Sequence, residues 1–181
     1  MGWVGIYVTQ NWLAWRGDIV RHMRLCKVAA GYVVWMLVVG IGANTMAAVD
    51  HRIPSFFDPH VFPVMDGMTV LTFAGLTLAG VAMRGATAWH RRLMLCGAVM
   101  VMTPGSARIL PLPLFGGWLL WAVWAATVPF ILAAVIYDVK TRGTVHPAYA
   151  WGFGTITLAF AMMRPIAYSA PVMALTTYML G

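Results

Sequence analysis

Long apolar runs alternate with short polar segments along the whole chain. Five runs are long enough to be considered as membrane spans, at about residues 26–49, 61–83, 93–110, 117–137 and 148–163. A further apolar stretch, residues 171–180, is too short to cross a bilayer by itself. Backbone groups inside lipid must bond within their own segment, so each long run is predicted to be a helix. The pattern therefore predicts an all-α integral membrane bundle of about five transmembrane helices.

Prolines lie inside two of these predicted spans. Pro104 is followed by Gly105 within the third span, and Pro129 lies within the fourth. Proline removes a backbone hydrogen bond and clashes with the preceding turn, so we expect both helices to be kinked at these points.

The composition agrees with a membrane environment. Of 181 residues, 61% are hydrophobic and only 9% are charged, whereas a soluble domain carries roughly a quarter charged residues. Too few charges are present to cover the surface in water, so the lipid bilayer is the expected partner. The net charge is +7, but the basic residues lie between apolar runs, which indicates basic loops rather than nucleic-acid binding.

The distribution of Lys and Arg predicts the orientation, because basic residues concentrate in cytoplasmic segments. Three segments on one side of a five-span topology hold most of them: Arg16, Arg21, Arg24 and Lys27; Arg84, Arg91 and Arg92; Lys140 and Arg142. The opposite side has Arg52, Arg108 and Arg164. The N-terminus is therefore predicted inside and the C-terminus outside a bacterial inner membrane. Residues 1–24 are assigned to a cytoplasmic or interfacial segment and residues 25–181 to the transmembrane domain.

An apolar stripe is predicted on the N-terminal segment. Val4, Val8, Trp12 and Trp15 fall on one side of a helix. Tryptophan is enriched at membrane–water interfaces, so an interfacial helix is expected, with an arm that contacts a partner as the alternative.

Four polar residues on four predicted spans lie in the outer third of the bilayer: Asn44, Asp66, Arg108 and Arg164. Charges inside a membrane usually face a partner or a cavity. One interpretation is an Asp–Arg pair that locks helices while the second Arg extends toward the interface. The other is a positively charged pocket that binds an anionic lipid headgroup or a small ligand, to which His51 and His60 could contribute.

Three histidines form a second layer near the inner face, where His22, His90 and His146 each precede a span. Imidazole is a common ligand of transition metals and haem iron, so a metal or haem site is one hypothesis. The alternative is that these histidines bond to lipid phosphates or helix ends. No arrangement typical of hydrolytic or phosphate-binding enzymes is present, and no catalytic residue is predicted.

Two segments carry a resemblance to known proteins. The stretch from His90 to Met94, together with Arg108, resembles a motif of small bacterial membrane proteins of unknown function. The connection from Asp138 to Tyr149, with Arg142 and His146, is similar to the link before their last helix. The resemblance covers most of residues 20–168 and implies the same topology. The His-basic-x-x-Met pattern alone has a more distant likeness to a family implicated in cytochrome oxidase assembly.

Three functions are compatible with these observations. The first is a non-catalytic subunit or assembly factor of a larger membrane complex, with other membrane proteins as partners. The second is a haem- or metal-binding redox protein that uses the inner histidines. The third is an outer-leaflet protein that binds an anionic lipid or small ligand. The short loops favour the first and leave little room for an enzyme site.

Overall fold

The computed structural model describes residues 2–180, and every regular element in that range is a helix, which confirms the predicted all-α fold. The helices are α1 (Gly2–Trp15), α2 (Ile19–Val49), α3 (Val61–Ala82), α4 (Thr87–Val101), α5 (Thr103–Ile109), a 3-10 helix (Leu112–Trp118), α6 (Leu119–Ala125), α7 (Val128–Arg142), α8 (Pro147–Ala167) and α9 (Ala170–Leu180).

Local capping explains several helix boundaries. The Asp18 carboxylate accepts a hydrogen bond from the backbone N–H of Arg21 and so caps the start of α2. Gly143 adopts a left-handed conformation with φ 75° and ends α7. His146 caps α8, and Pro147 occupies its first turn, where a missing N–H costs nothing.

The expected proline breaks are confirmed in both helices. The third span divides into α4 and α5, and Pro104 lies in the first turn of α5. The fourth divides into α6 and α7, and Pro129 lies in the first turn of α7. In each case the proline begins a new helix, where it replaces no internal hydrogen bond.

Three helical segments are long and apolar enough to span a membrane: Ile19–Val49, Val61–Ala82 and Leu112–Arg142. The pair α8 and α9, which is bent by 71°, provides a fourth if it counts as one span. Helix α4 has only 15 residues, and its first turns contain His90, Arg91 and Arg92. The all-helical chain therefore has three to four candidate spans within residues 2–180.

Contacts between distant residues define two ends of the bundle. At the first, here called the basic end, the His22 and His90 rings meet and Arg92 binds Asp138, so the starts of α2 and α4 lie beside the end of α7. At the opposite end, Asn44 of α2 binds the carbonyl of Pro63 in α3.

Helix α3 lies at the centre and packs against α2, α4 and α8. Phe73, Cys96 and Ile156 are fully buried where these helices meet. Small residues allow the close approach: a Cβ atom on Gly97 would lie 2.6 Å from Thr77 Oγ1, and one on Gly152 would lie 2.5 Å from Cys96 Sγ. This is the packing mode typical of helices in membranes.

The outer surface of the bundle is apolar. Large hydrophobic side chains are exposed on every long helix, including Val38 at 66%, Leu71 at 53% and Trp151 at 69%. Contiguous apolar surface of this extent is rare on soluble monomers. The exterior is therefore that of a membrane-embedded protein.

Helix α1 packs against α2 and reaches the core. Trp3 is buried and contacts the edge of Phe73, with ring centroids 4.9 Å apart. The predicted stripe of Val4, Val8, Trp12 and Trp15 is exposed on the other side of the helix. The proposed boundary between residues 24 and 25 lies within continuous helix α2, which begins at Ile19.

Candidate functional site

A buried ion pair lies at the basic end of the bundle. Arg92 of α4 is 1% exposed and Asp138 of α7 is 3% exposed. Arg92 Nε donates to Asp138 Oδ2 at 2.6 Å, and its Nη2 donates to the same oxygen. Its Nη1 donates to the Ala88 carbonyl at 2.6 Å. All three guanidinium nitrogens therefore have partners.

Two further side chains surround this pair. Arg142 Nε lies 3.8 Å from Asp138 Oδ1, and the Tyr149 ring lies 5.5 Å from the Arg92 guanidinium carbon. Asp138 thus faces two arginines, while the aromatic ring offers Arg92 a cation–π contact. With its oxygens and nitrogens occupied, the cluster is suited to fixing α4, α7 and α8 together rather than to acid–base chemistry.

His146, one of the predicted metal or haem ligands, acts as a helix cap. Its Nδ1 accepts a hydrogen bond from the backbone N–H of Ala148 at 3.1 Å, and its ring contacts the edge of Trp89 at a centroid distance of 5.4 Å. Partial burial lowers the pKa of His146, and the positive charges of Arg92 and Arg142 lower it further, against the opposing effect of Asp138. The neutral imidazole that the cap requires is therefore favoured.

The other two inner-face histidines are neighbours. The rings of His22 and His90 are half-buried, with centroids 6.3 Å apart and planes at 84°. His90 Nδ1 lies 2.7 Å from the Gly80 carbonyl oxygen, and His22 Nδ1 lies 3.1 Å from the Gln10 carbonyl oxygen. The Gly80 carbonyl oxygen holds the His90 ring, whereas His22 Nδ1 has both the main-chain oxygen and the side-chain amide of Gln10 within hydrogen-bond distance. Neither Nε2 forms a hydrogen bond with any residue between 2 and 180.

Gln10 of α1 is the polar residue nearest to this pair. It is 8% exposed, in a helix otherwise composed mainly of apolar residues. The side-chain oxygen of Gln10 faces α2 and accepts a hydrogen bond from the Cys26 backbone N–H at 2.8 Å. The side-chain nitrogen of Gln10 then lies 2.7 Å from His22 Nδ1. Gln10 therefore fixes α1 and the His22 ring to each other.

Across residues 2–180, no three side chains of His, Cys, Asp or Glu lie close enough together to hold a metal ion. The predicted inner layer thus divides into the pair His22 and His90, and the separate cap His146. The metal or haem assignment of these three residues stays a prediction.

The predicted outer layer is dispersed. Asp66 is half-buried beside a cavity of about 20 Å³ that Thr69 and Thr103 also line. Arg108 is exposed and donates to the Pro104 carbonyl at 2.9 Å, and within residues 2–180 it forms no ion pair with Asp66. A cavity of that volume holds about one water molecule, which is too little for a headgroup.

The remaining two predicted residues of the outer layer serve different purposes. Asn44 Nδ2 donates to the Pro63 carbonyl at 2.6 Å and joins α2 to α3, while its Oδ1 is buried without a partner among residues 2–180. Arg164 is exposed near the end of α8. The ligand-binding assignment of Asn44, Asp66, Arg108 and Arg164 therefore stays a prediction.

A polar network at the opposite end centres on Asp58, which the sequence analysis did not select. Its carboxylate accepts hydrogen bonds from the backbone N–H groups of His60 and Val61 and from the Tyr168 hydroxyl. Burial raises the pKa of Asp58, but the hydrogen bonds from Tyr168 and the backbone outweigh it and leave the pKa lowered. His60 Nδ1 lies 2.7 Å from Thr176 Oγ1, which joins the same loop to α9.

Arg92 was also missed as a site residue, because it was counted with the loop charges. A signal was available in its spacing: Arg92, Cys96 and Met100 recur every four residues, and all three are buried on one face of α4. Asp58 had a signal too, since an aspartate before a proline favours a turn in which its carboxylate accepts a hydrogen bond from the backbone N–H two residues on.

The chain matches no family model, none of the curated proteins and no solved structure. Any function must therefore be argued from the chain's own residues.

Proposed function

We propose that the protein is a multi-pass component of a bacterial inner membrane with five crossings, its N-terminus inside and its C-terminus outside. Helices α4 and α5 together cover residues 87–109, which at 1.5 Å per residue reach about 35 Å, enough for a hydrocarbon core of about 30 Å. The starts of α2 and α4 lie at the same end as the end of α7, as alternate crossings require. The basic loops at that end favour a cytoplasmic location.

Within this membrane, the protein acts as a non-catalytic subunit or assembly factor of a larger complex. The observation that supports this function is an open groove on the outward face of α8, lined by Ala150, Trp151, Gly154, Thr155 and Leu158. Small residues four positions apart allow another helix backbone to approach closely. A Cβ on Gly154 would meet nothing within 4 Å, so no other part of the chain within residues 2–180 fills this space.

The occupant that fits this groove is an apolar transmembrane helix of a different membrane protein. Tryptophan and leucine supply contact area at the rim, and the small residues supply depth, which together suit the side chains of a membrane helix.

Co-purification tests this function. The chain is expressed with a tag at native level, solubilised gently and analysed by mass spectrometry. We expect a fixed membrane-protein partner with the native chain and its loss with Gly154→Leu, because the larger side chain fills the groove. Gly75→Leu is the matched control, since Gly75 is also an exposed helical glycine with open space around it, on α3. The proposal is contradicted if no membrane-protein partner co-purifies with the native chain, or if Gly154→Leu and Gly75→Leu recover equal amounts of that partner.

A further inference from the structure

We propose that α1 is a re-entrant helix: it runs beside α2 from the basic end into the bilayer and ends inside the hydrocarbon core without crossing it. Its exposed stripe, Val4, Val8, Trp12 and Trp15, then contacts the lipids of the leaflet at the basic end, with the valines among the acyl chains. The inference rests on the proposed membrane topology and is independent of the partner groove on α8.

The contacts between α1 and α2 define an antiparallel hairpin. The chain turns at Gly17, which has φ 74°. Near this turn, the Gln10 carbonyl oxygen lies 3.1 Å from His22 Nδ1. At the far end of the hairpin, a Cβ atom on Gly2 would overlap the Tyr32 hydroxyl. Contacts that proceed up α2 as they proceed down α1 show that the two axes run side by side, so α1 follows the direction of a candidate span.

The depth of α1 follows from its contact with α3. Trp3 is buried against the edge of Phe73, with ring centroids 4.9 Å apart. At 1.5 Å per residue, Phe73 lies about 14 Å from the end of α3 at Ala82, and half of a hydrocarbon core is about 15 Å. The start of α1 therefore lies inside the core. Helix α1 has 14 residues and is about 21 Å long, so its other end reaches the headgroup region.

The residue types of α1 are ordered along its axis rather than around it. Residues 2–8 are apolar or aromatic, and the polar residues Thr9, Gln10 and Asn11 follow in the half nearer the basic end. None of residues 2–15 is charged. A helix that lies in the membrane plane has a strongly polar face opposite its apolar face. Three consecutive polar residues point about 100° apart and form no such face, so the sequence favours an axis that enters the bilayer.

The exposed stripe changes along the same axis. Val4 and Val8, at the deep end, are 55% and 60% exposed. Trp12 and Trp15 lie at the basic end, and tryptophan is enriched where a membrane meets water. The Arg16 guanidinium carbon lies 4.6 Å from the centre of the Trp12 ring, a cation–π contact at that level. Aliphatic side chains inside and tryptophans at the boundary are the pattern of a surface covered by lipid.

Gln10 is the polar residue of α1 that is buried, and α2 satisfies it. Its side-chain oxygen accepts a hydrogen bond from the Cys26 backbone N–H at 2.8 Å, and its side-chain nitrogen lies 3.2 Å from the His22 carbonyl oxygen. Polar groups inside a bilayer need internal partners of this kind. The amide therefore holds the hairpin together on the side that faces α2, while the stripe faces lipid.

Electron paramagnetic resonance of nitroxide labels on the purified chain in lipid nanodiscs tests the inference. Val4→Cys, Val8→Cys and Trp15→Cys are made singly in a chain whose two native cysteines are alanine. Collision with oxygen, which concentrates in the hydrocarbon core, is compared with collision with a nickel chelate, which stays in water. Val38→Cys is the matched control, because Val38 is 66% exposed on the candidate span α2.

We expect the ratio of oxygen to nickel collisions to rise in the order Trp15, Val8, Val4, toward the value at Val38. Equal ratios at the three α1 positions indicate a helix in the membrane plane and overturn the inference. Full nickel access at Val4, or little access of either reagent there, also overturns it, because water or protein then covers the stripe. If Val38 is also open to nickel, the proposed membrane topology fails with it; a shielded Val38 confines the failure to α1.

Discussion

At the scale of single residues, the pair Arg92 and Asp138 constrains which helices are neighbours. Both charges are almost completely removed from solvent, so each depends on the other for compensation. Removing one partner of such a pair leaves an uncompensated buried charge, and this costs more than the intact pair gains. The pair therefore specifies that α4 packs beside α7.

Asp138→Asn tests this dependence. We expect a loss of about 3–5 kcal/mol in the free energy of unfolding, because Arg92 stays buried without its counter-ion. The measurement is reversible unfolding in detergent or, failing reversibility, the apparent midpoint at a fixed scan rate. Asp50→Asn is the control: Asp50 pairs with Arg52 at 3.3 Å on the surface, where an ion pair contributes less than about 1 kcal/mol. Equal effects of the two variants would refute the assignment.

His146 gives the chain a predicted pH dependence. Its pKa in the folded chain lies below the ordinary histidine value of 6.5, so its contribution to stability is complete above about pH 6.5 and is lost as the pH falls through the folded pKa. His146→Asn keeps an oxygen that can cap α8 but does not titrate. Between about pH 7.5 and about pH 5.5, the midpoint of the native chain should fall more than that of the variant. If the midpoints of the native chain and of His146→Asn fall equally over this pH range, His146 is not the source of the pH dependence.

At the scale of elements, apolar run length predicted the helices well, because a segment in lipid has no other way to satisfy its backbone. The boundaries were less predictable. Helix α2 begins at Ile19 rather than Cys26, since the Asp18 cap starts it and its basic first turns continue beyond the apolar run. Helix α7 extends past the predicted end at Tyr137 and continues to Arg142. The charge of Asp138 can be buried within this helix because it pairs with Arg92 of α4.

The sequence predicted how deep each candidate residue lies along its helix, but not the direction in which its side chain points. Position along a helix placed His22 and His90 at one level, and the structure brings their rings together. The same reasoning placed Asp66 and Arg108 at one level, yet Arg108 is exposed and bonds to Pro104 within its own helix. Depth follows from residue number at 1.5 Å per residue, whereas rotation about the helix axis is fixed by packing with neighbours.

Two glycines of α8 provide a test of helix packing. Gly152→Ala places a Cβ 2.5 Å from Cys96 Sγ and 2.9 Å from its Cβ, so α8 must move away from α4. We expect a loss of about 1–3 kcal/mol, in the range for overpacked cores. Gly154→Ala, two residues along the same helix, adds a methyl group in open space and should leave the isolated chain as stable or slightly more stable. Thermal unfolding of both variants in detergent measures the difference, and a harmless Gly152→Ala would disprove this packing.

At the scale of the whole molecule, two asymmetries define the protein. The surface along the helices is apolar, and the Lys and Arg residues are concentrated at one end of the bundle. The first asymmetry is expected of a protein that has lipid as its solvent, and the second is what the proposed orientation, with the basic segments in the cytoplasm, predicts. In the proposed topology, the α8 groove faces lipid and the basic end of the bundle faces the cytoplasm.

Labelling of single cysteines in intact cells tests this arrangement most directly. Cys26 and Cys96 are first replaced by alanine, and Ser55→Cys or Thr144→Cys is then introduced into an exposed loop at either end of the bundle. We predict that a membrane-impermeant maleimide labels residue 55 in intact cells and residue 144 only after permeabilisation. Equal labelling of both positions in intact cells, or labelling of residue 144 alone, would contradict the proposed membrane topology.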